Sequence, residues 1–195
     1  MSDGNEVESE VGDGDGDGDG NNSGGGLFIG GNLNGQTCYL LGSILKNNSA
    51  KRGGGFANES TADGKLWVEN CLIINNNSQS WGTAGFIFGE TTISNCTIVV
   101  NESDVYSEGI LSFHNSNTNA TLINSCVYSN SGTPLVLDLY EPVSNTINIL
   151  YSNIPPTIIL WLNGRPVKIL ILFGAITCMV SPRDISSLMD TCFPM

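Results

Sequence analysis

Short apolar segments recur along the chain, separated by asparagine, glycine and serine. The clearest unit is Leu66-Trp-Val-Glu-Asn-Cys-Leu-Ile-Ile-Asn-Asn-Asn-Ser78. It reads as two short strands hinged at Asn70 and closed by an asparagine run. Ile93-Ser-Asn-Cys-Thr-Ile-Val-Val-Asn101 and Ile123-Asn-Ser-Cys-Val-Tyr-Ser-Asn130 repeat it. Aligned on Cys71, Cys96 and Cys126, the copies place Val68, Ile93 and Ile123 three residues before the cysteine. Ile73, Ile98 and Tyr128 then fall two residues after it, and Asn75, Val100 and Asn130 four after. A fainter copy carries Leu40, Ser43, Leu45 and Asn47 in the same slots. Another is centred on Ile149, with Tyr151 and Asn153. The centres Ser43, Cys71, Cys96, Cys126 and Ile149 are 28, 25, 30 and 23 residues apart. Self-similarity at such a period marks a repeat architecture.

A second apolar strand accompanies each copy, usually entered through glycine: Gly26 to Ile29, Gly55 to Ala57, Gly85 to Phe88, Gly109 to Leu111, and Leu135 to Leu137 after Pro134. These segments are rich in Ile, Val, Phe and Thr and bounded by turn residues, which is strand chemistry. No stretch before residue 154 sustains a helical period. The predicted fold is all-β: a right-handed parallel β-helix of about five coils over residues 26–153. Each coil stacks on the next at about the 4.8 Å strand spacing. Cysteine, isoleucine and phenylalanine are expected to form ladders inside. Asparagine is expected at the bends, because it tolerates positive φ and its amide bonds locally.

Composition fits this reading. Charged residues are only 13% of the chain, against 24 glycines. The net charge of −12 comes largely from the acidic residues up to Asp19. Seven basic residues spread along the chain argue against nucleic-acid binding. Residues 1–25 are low in apolar side chains and alternate Asp with Gly from Asp13 to Gly20, which predicts a disordered acidic tail. Alternate carboxylates also suggest weak calcium binding there, although EF-hand spacing and the Gly-Gly-x-Gly-x-Asp nonapeptide are absent.

Residues 154–195 break the repeat. The apolar run from Val167 to Val180, interrupted only by Lys168, Gly174 and Thr177, is shorter than a membrane span and is flanked by Asn163, Arg165 and Lys168. It reads as a strand or helix capping the core, with a membrane segment or an unrelated tail as alternatives. An open β-helix end needs covering, since exposed edges recruit other chains. No secretory signal opens the chain, which alone reads as cytoplasmic. Asn-x-Ser/Thr sequons at Asn47, Asn58, Asn76, Asn95, Asn101 and Asn119 read the other way. An internal piece of a longer extracellular or surface chain would reconcile the two.

The candidate chemistry is thin. Six cysteines (Cys38, Cys71, Cys96, Cys126, Cys178, Cys192) include no CxxC pair, and there is a single histidine, so no zinc site is expected. Cys71, Cys96 and Cys126 are expected in one slot as small buried fillers rather than as disulfides, because side chains one coil apart run parallel. Glu102 and Asp104 are two apart and share a strand face. Glu90, Glu108, Asp138 and Glu141 are scattered, and Lys46, Lys51, Arg52 and Lys65 lie next to turn residues. That gives no acid/base pair, so no catalytic, metal or cofactor site is expected. His114 reads as a turn residue. Without a Gly-x-Ser-x-Gly motif, a serine triad is not expected. Trp67, Trp81, Trp161 and Tyr106 read either as sugar-stacking platforms or as core and end shields.

The Asn-Cys-x-Ile repeat with its glycine-led strands resembles the right-handed parallel β-helix proteins of the pectin-lyase-like superfamily. Gly54-Gly-Phe-Ala-Asn58 and Gly85-Phe-Ile-Phe88 resemble the Gly-Gly-Ala-Ile and Phe-x-x-Asn repeats of polymorphic outer-membrane proteins, which are autotransporter passengers. The resemblance covers about residues 26–153. It implies a surface-exposed or secreted, adhesin-like binding protein for a protein or glycan ligand. The Asn-Thr-Asp, Asp-Asp and Gly-His-Gly signatures of polygalacturonases and the arginine set of pectate lyases are missing, as is an anchoring β-barrel. A fragment of a polysaccharide lyase or hydrolase, lacking its catalytic coils, is the alternative.

Overall fold

The computed structural model describes residues 23–61, 64–103, 109–114, 119–128, 130–131, 135–139, 145–154, 157–162, 165–170 and 176–180. Beyond Ser131, side chains are described only at 148–154. The acidic segment, read as a disordered tail with weak calcium binding as the alternative, lies outside these residues. The described chain is all strand and turn, with no helix.

Four sheets run along one solenoid. The first stacks strands Leu27–Asn32, Phe56–Thr61, Gly85–Ile87, Leu111–His114, Leu135–Leu139 and Thr157–Leu162 in parallel. The second stacks Thr37–Leu41, Lys65–Glu69, Glu90–Ser94, Asn119–Ile123 and Asn145–Leu150 in parallel. The third comprises Ile44–Lys46, Leu72–Ile74, Thr97–Val99 and Cys126–Tyr128. The fourth has two-residue strands, Ser49–Ala50, Asn77–Ser78 and Glu102–Ser103. The fold is therefore a parallel β-solenoid in which about three turns carry all four strands. At the far end the chain reverses. Arg165–Leu170 pairs antiparallel with Thr157–Leu162, and Ile176–Val180 pairs antiparallel with Asn145–Leu150.

Period-2 alternation explains the strands. In Lys65–Glu69 the burial alternates, with Leu66 and Val68 inside and Lys65 and Trp67 outside. Rungs align Leu40, Val68, Ile93, Leu122 and Ile149 in one column. Leu45, Ile73, Ile98 and Val127 form another. Ile73, Ile98 and Val127 are completely buried. Each such side chain contributes about 1.5–3 kcal/mol relative to exposure.

The chain turns between strands through single left-handed residues. Gly42, Asn70, Asn95, Asn124 and Tyr151 have φ from 48° to 56° between the second and third strands. Asn47, Asn75 and Val100 do the same between the third and fourth. Asparagine is the commonest non-glycine choice because its short polar side chain lowers the left-handed penalty. The expectation of asparagine at the bends holds for both sets.

Three expectations need correction. The three cysteines do not share a slot. Thr97 pairs with both Leu72 and Cys126, so Cys71 and Cys96 align with each other and their counterpart in the next rung is Ser125. This one-residue slip exchanges the faces of the third copy. Leu122 and Val127 are inward, while Tyr128 is half exposed and Ile123 is partly covered. At the following rung Ser152, not Ile149, occupies the slot, since Ile149 pairs with Leu122.

Phenylalanines also do not stack directly. Phe56 pairs with Leu27 and Gly85, and Gly85 in turn pairs with Leu111. A Cβ on Gly85 would lie 2.5 Å from the Phe56 ring, so the glycine leaves the room that this ring fills. Finally, His114 lies in a strand and is buried, not in a turn.

Candidate binding surface

Two internal ladders of polar side chains run between the rungs. In the first, the residue after the second-to-third bend is Ser43, Cys71, Cys96, Ser125 or Ser152. Each one donates to the carbonyl two residues back: Leu41, Glu69, Ser94, Ile123 and Leu150, at 2.9, 3.2, 3.1, 2.9 and 3.0 Å. Three of them, Cys71, Ser125 and Ser152, also accept from the backbone of the previous rung. Ser43 N–H donates to Cys71 Sγ at 3.5 Å, Cys96 N–H to Ser125 Oγ at 3.1 Å, and Ser125 N–H to Ser152 Oγ at 3.1 Å.

The Cys71 thiol is pulled from 9.0 down to about 6. The main cause is the neighbouring Cys96 thiol, whose one proton turns from the Ser94 carbonyl to the Cys71 sulfur when Cys71 ionises; burial opposes the shift and the Ser43 N–H helps it. Cys96 is pushed up by that same partnership and by burial. Cys38, Cys71, Cys96 and Cys126 are all free thiols.

The second ladder is asparagine. Asn48 Nδ2 donates to Asn76 Oδ1, Asn76 Nδ2 to Asn101 Oδ1, and Asn101 Nδ2 to Asn130 Oδ1, each at 3.0 Å. The backbone N–H groups of Asn48, Asn76 and Asn101 converge on the same oxygens. Asn48, Asn76 and Asn101 are at most 3% exposed. Beside it, Asn75 Nδ2 donates to Asn47 Oδ1 at 2.7 Å on the outside of the bend. Two of the sequon asparagines, Asn76 and Asn101, are thus ladder members. Asn58 is also fully buried, bonded to Thr91 Oγ1 at 2.8 Å. Asn47, Asn95 and Asn119 are exposed.

The other predicted site residues do not converge. Glu90 pairs with Lys65 at 2.9 Å, with both side chains over 40% exposed. Glu102 is exposed on its short strand, Lys46 ends the strand Ile44–Lys46, and Lys51 follows the strand Ser49–Ala50. Asp104, Tyr106, Glu108 and Glu141 lie outside the described residues. Asp138 pairs in register with His114 and Trp161, but the side chains of Asp138 and Trp161 are not among those described. Among the described residues, no group of three His, Cys, Asp or Glu side chains is arranged to hold a metal ion. No helix of the described chain is long and apolar enough to cross a membrane.

Two outer faces carry side chains of interest. On the first sheet, Trp81 stacks on Phe86 with centroids 6.1 Å apart and lies 4.6 Å from the His114 ring. The Arg52 guanidinium sits 5.7 Å from Trp81 and 5.6 Å from Phe86, a cation–π arrangement. Glu59 lies 4.0 Å from Arg52 and accepts from Ser23 Oγ at 2.5 Å. Ser112 shares this face two residues before His114. Its buried hydroxyl makes no hydrogen bond among the described residues, so no Ser–His pair is formed. Trp81 acts as a shield over the sheet rather than an open platform.

The second sheet is different. Tyr39, Trp67, Thr92, Thr121 and Asn148 form one outward column. Tyr39 is 65% exposed and Trp67 38%. Trp67 Nε1 donates to Glu69 Oε2 at 3.1 Å, which lays the indole along its strand. Sequence reasoning raised Trp67 but missed Tyr39 and the column. The signal was the alternation of Thr37-Cys-Tyr-Leu-Leu41 read against Lys65-Leu-Trp-Val-Glu69. Comparison with family models, with curated proteins and with solved structures found no match to this chain.

Proposed function

We propose that this chain is a non-catalytic binding protein, a right-handed parallel β-helix of about five coils resembling the pectin-lyase-like proteins, secreted or displayed at a cell surface. It engages a protein or glycan partner through its outer surface. The observation that carries this reading is the division of polar groups. The inner Ser/Cys and Asn side chains are bonded within ladders, while the exposed aromatic residues Tyr39 and Trp67 stand in register outside. Right-handedness is supported by the general rule for parallel crossovers. The fourth and fifth coils are supported by strands Leu111–His114, Asn119–Ile123, Cys126–Tyr128, Leu135–Leu139 and Asn145–Leu150 continuing the same columns. The reversed strands after residue 154 support a closing role for that segment.

The bends are a poorer binding surface than the sequence suggested, because their asparagines and serines are already bonded. A glycan array and an affinity pull-down from surface extracts test the reading, alongside assays for reducing-end or 4,5-unsaturated product release. Saturable binding without product is expected. Turnover of a polysaccharide would overturn it.

A further inference from the structure

We propose that the outer face of the second sheet takes an uncharged polysaccharide lying along the solenoid axis, with one sugar unit to each rung. This rests on the binding reading above and specifies its partner. The column is made of rings and then hydroxyl and amide groups: Tyr39, Trp67, Thr92, Thr121 and Asn148. Successive members are one rung apart, about 4.8 Å, which is close to the length of one pyranose unit. Rings at that interval present π faces to the C–H faces of successive sugars. The hydroxyl and amide groups beyond them bond sugar hydroxyls.

The two flanking columns favour the same occupant. On one side Lys65 and Glu90 neutralise each other at 2.9 Å, with Thr37 and Asn119 in the same column. On the other, the column runs from Leu41, 56% exposed, through Glu69 and Ser94 to the partly exposed Ile123 and Leu150, and carries no cation. The remaining acid, Glu69, accepts from the Trp67 indole. Among the described residues the face therefore has no unmatched cation for a polyanion and one carboxylate that repels it. Holding the indole through Glu69 also removes rotamer freedom that binding would otherwise have to restrict.

The test is titration calorimetry on the full chain, with neutral oligomers from dimer to hexamer. The probes are β-1,4-linked glucose, xylose and mannose and β-1,3-linked glucose, with a galacturonic acid hexamer as the acidic control. At least one neutral series is expected to bind, with affinity climbing until about five rungs are covered. Tyr39→Ala and Trp67→Ala should each weaken it by about tenfold, with circular dichroism unchanged. Tyr128→Ala, an exposed aromatic on the third sheet, should leave it unaltered.

Three results would overturn the proposal: no neutral series bound, tighter binding of the acidic hexamer, or affinity indifferent to Tyr39 and Trp67. Loss of self-association in the aromatic variants, without loss of sugar binding, would assign the face to protein contact and also overturn it. In each of these cases the broader binding reading survives. Cleavage of an oligomer would instead sink that reading itself.

Discussion

The bend from the second to the third strand and the bend from the third to the fourth meet one requirement in two ways. Both turn the chain with a single left-handed residue. Both must then satisfy backbone groups that leave one sheet before joining the next, since buried unpaired amides cost about as much as a lost hydrogen bond. After the first bend, serine or cysteine reaches back to its own strand and accepts from the previous rung. After the second, asparagine spans the gap between rungs side chain to side chain. The short side chains act mostly within a rung. The amides act mostly between rungs. A column of serines and cysteines tolerates exchange between them, while the asparagine column has no isosteric substitute that both donates and accepts.

The difference sets the order of expected effects. Asn76→Leu should be the most damaging change at either bend, about 4 kcal/mol or more, because it takes the acceptor from both the Asn48 backbone N–H and the Asn48 side-chain amide at a buried site. Urea unfolding measures it, and a loss under about 1 kcal/mol would mean that the ladder is not formed. At the first bend, Ser125→Val should cost about 2 kcal/mol by orphaning the buried Cys96 N–H; the Ile123 carbonyl keeps the Asn95 N–H. Cys126→Val, at a partly exposed site, should stay within about 0.5 kcal/mol. The reverse order would restore the cysteine alignment.

Val100 is the anomaly of the second bend, a β-branched residue at φ 54° in the column of Asn47 and Asn75. Val100→Asn should stabilise by about 1 kcal/mol, read as a rise in Tm.

The smallest effect is a pH slope peculiar to the first bend. Cys71 is depressed to about 6, so between there and 9.0 the unfolded chain holds a proton that the folded chain has released. Stability should then rise with pH across that window. Above it, Cys96 keeps a proton that the unfolded chain loses, so stability should fall. Cys71→Ser, which copies Ser43 and Ser125, should fold normally and flatten both limbs. An unchanged pH profile would contradict the shared-proton arrangement.

The two bends also explain what was legible in the sequence. Asparagine at the turns could be read directly, because left-handed geometry narrows the choice of residue. The solenoid could be read from apolar alternation, since Val68, Ile73, Ile93 and Ile98 all point inward. The register of the third copy could not be read from its cysteine. Serine fills the same slot with the same bonds, so cysteine identity marks chemistry and not position. Only the burial of Val127 against the exposure of Tyr128 fixes it.

The surface column stayed hidden for a related reason. Tyr39 and Trp67 are 28 residues apart and become neighbours only once the rungs are in register. Likewise, His114 looked like a turn residue because Asn115 follows it, whereas Trp81 and Phe86 hold it against the sheet.

The stacking itself is tested most directly by the Cα separations of Cys96 from Ser125 and from Cys126 in a crystal structure. Ser125 is expected one rung away, about 4.8 Å, with its hydroxyl accepting from the Cys96 amide. Cys126 in that place instead, with Val127 turned to solvent, would contradict the rung register and the ladders built on it.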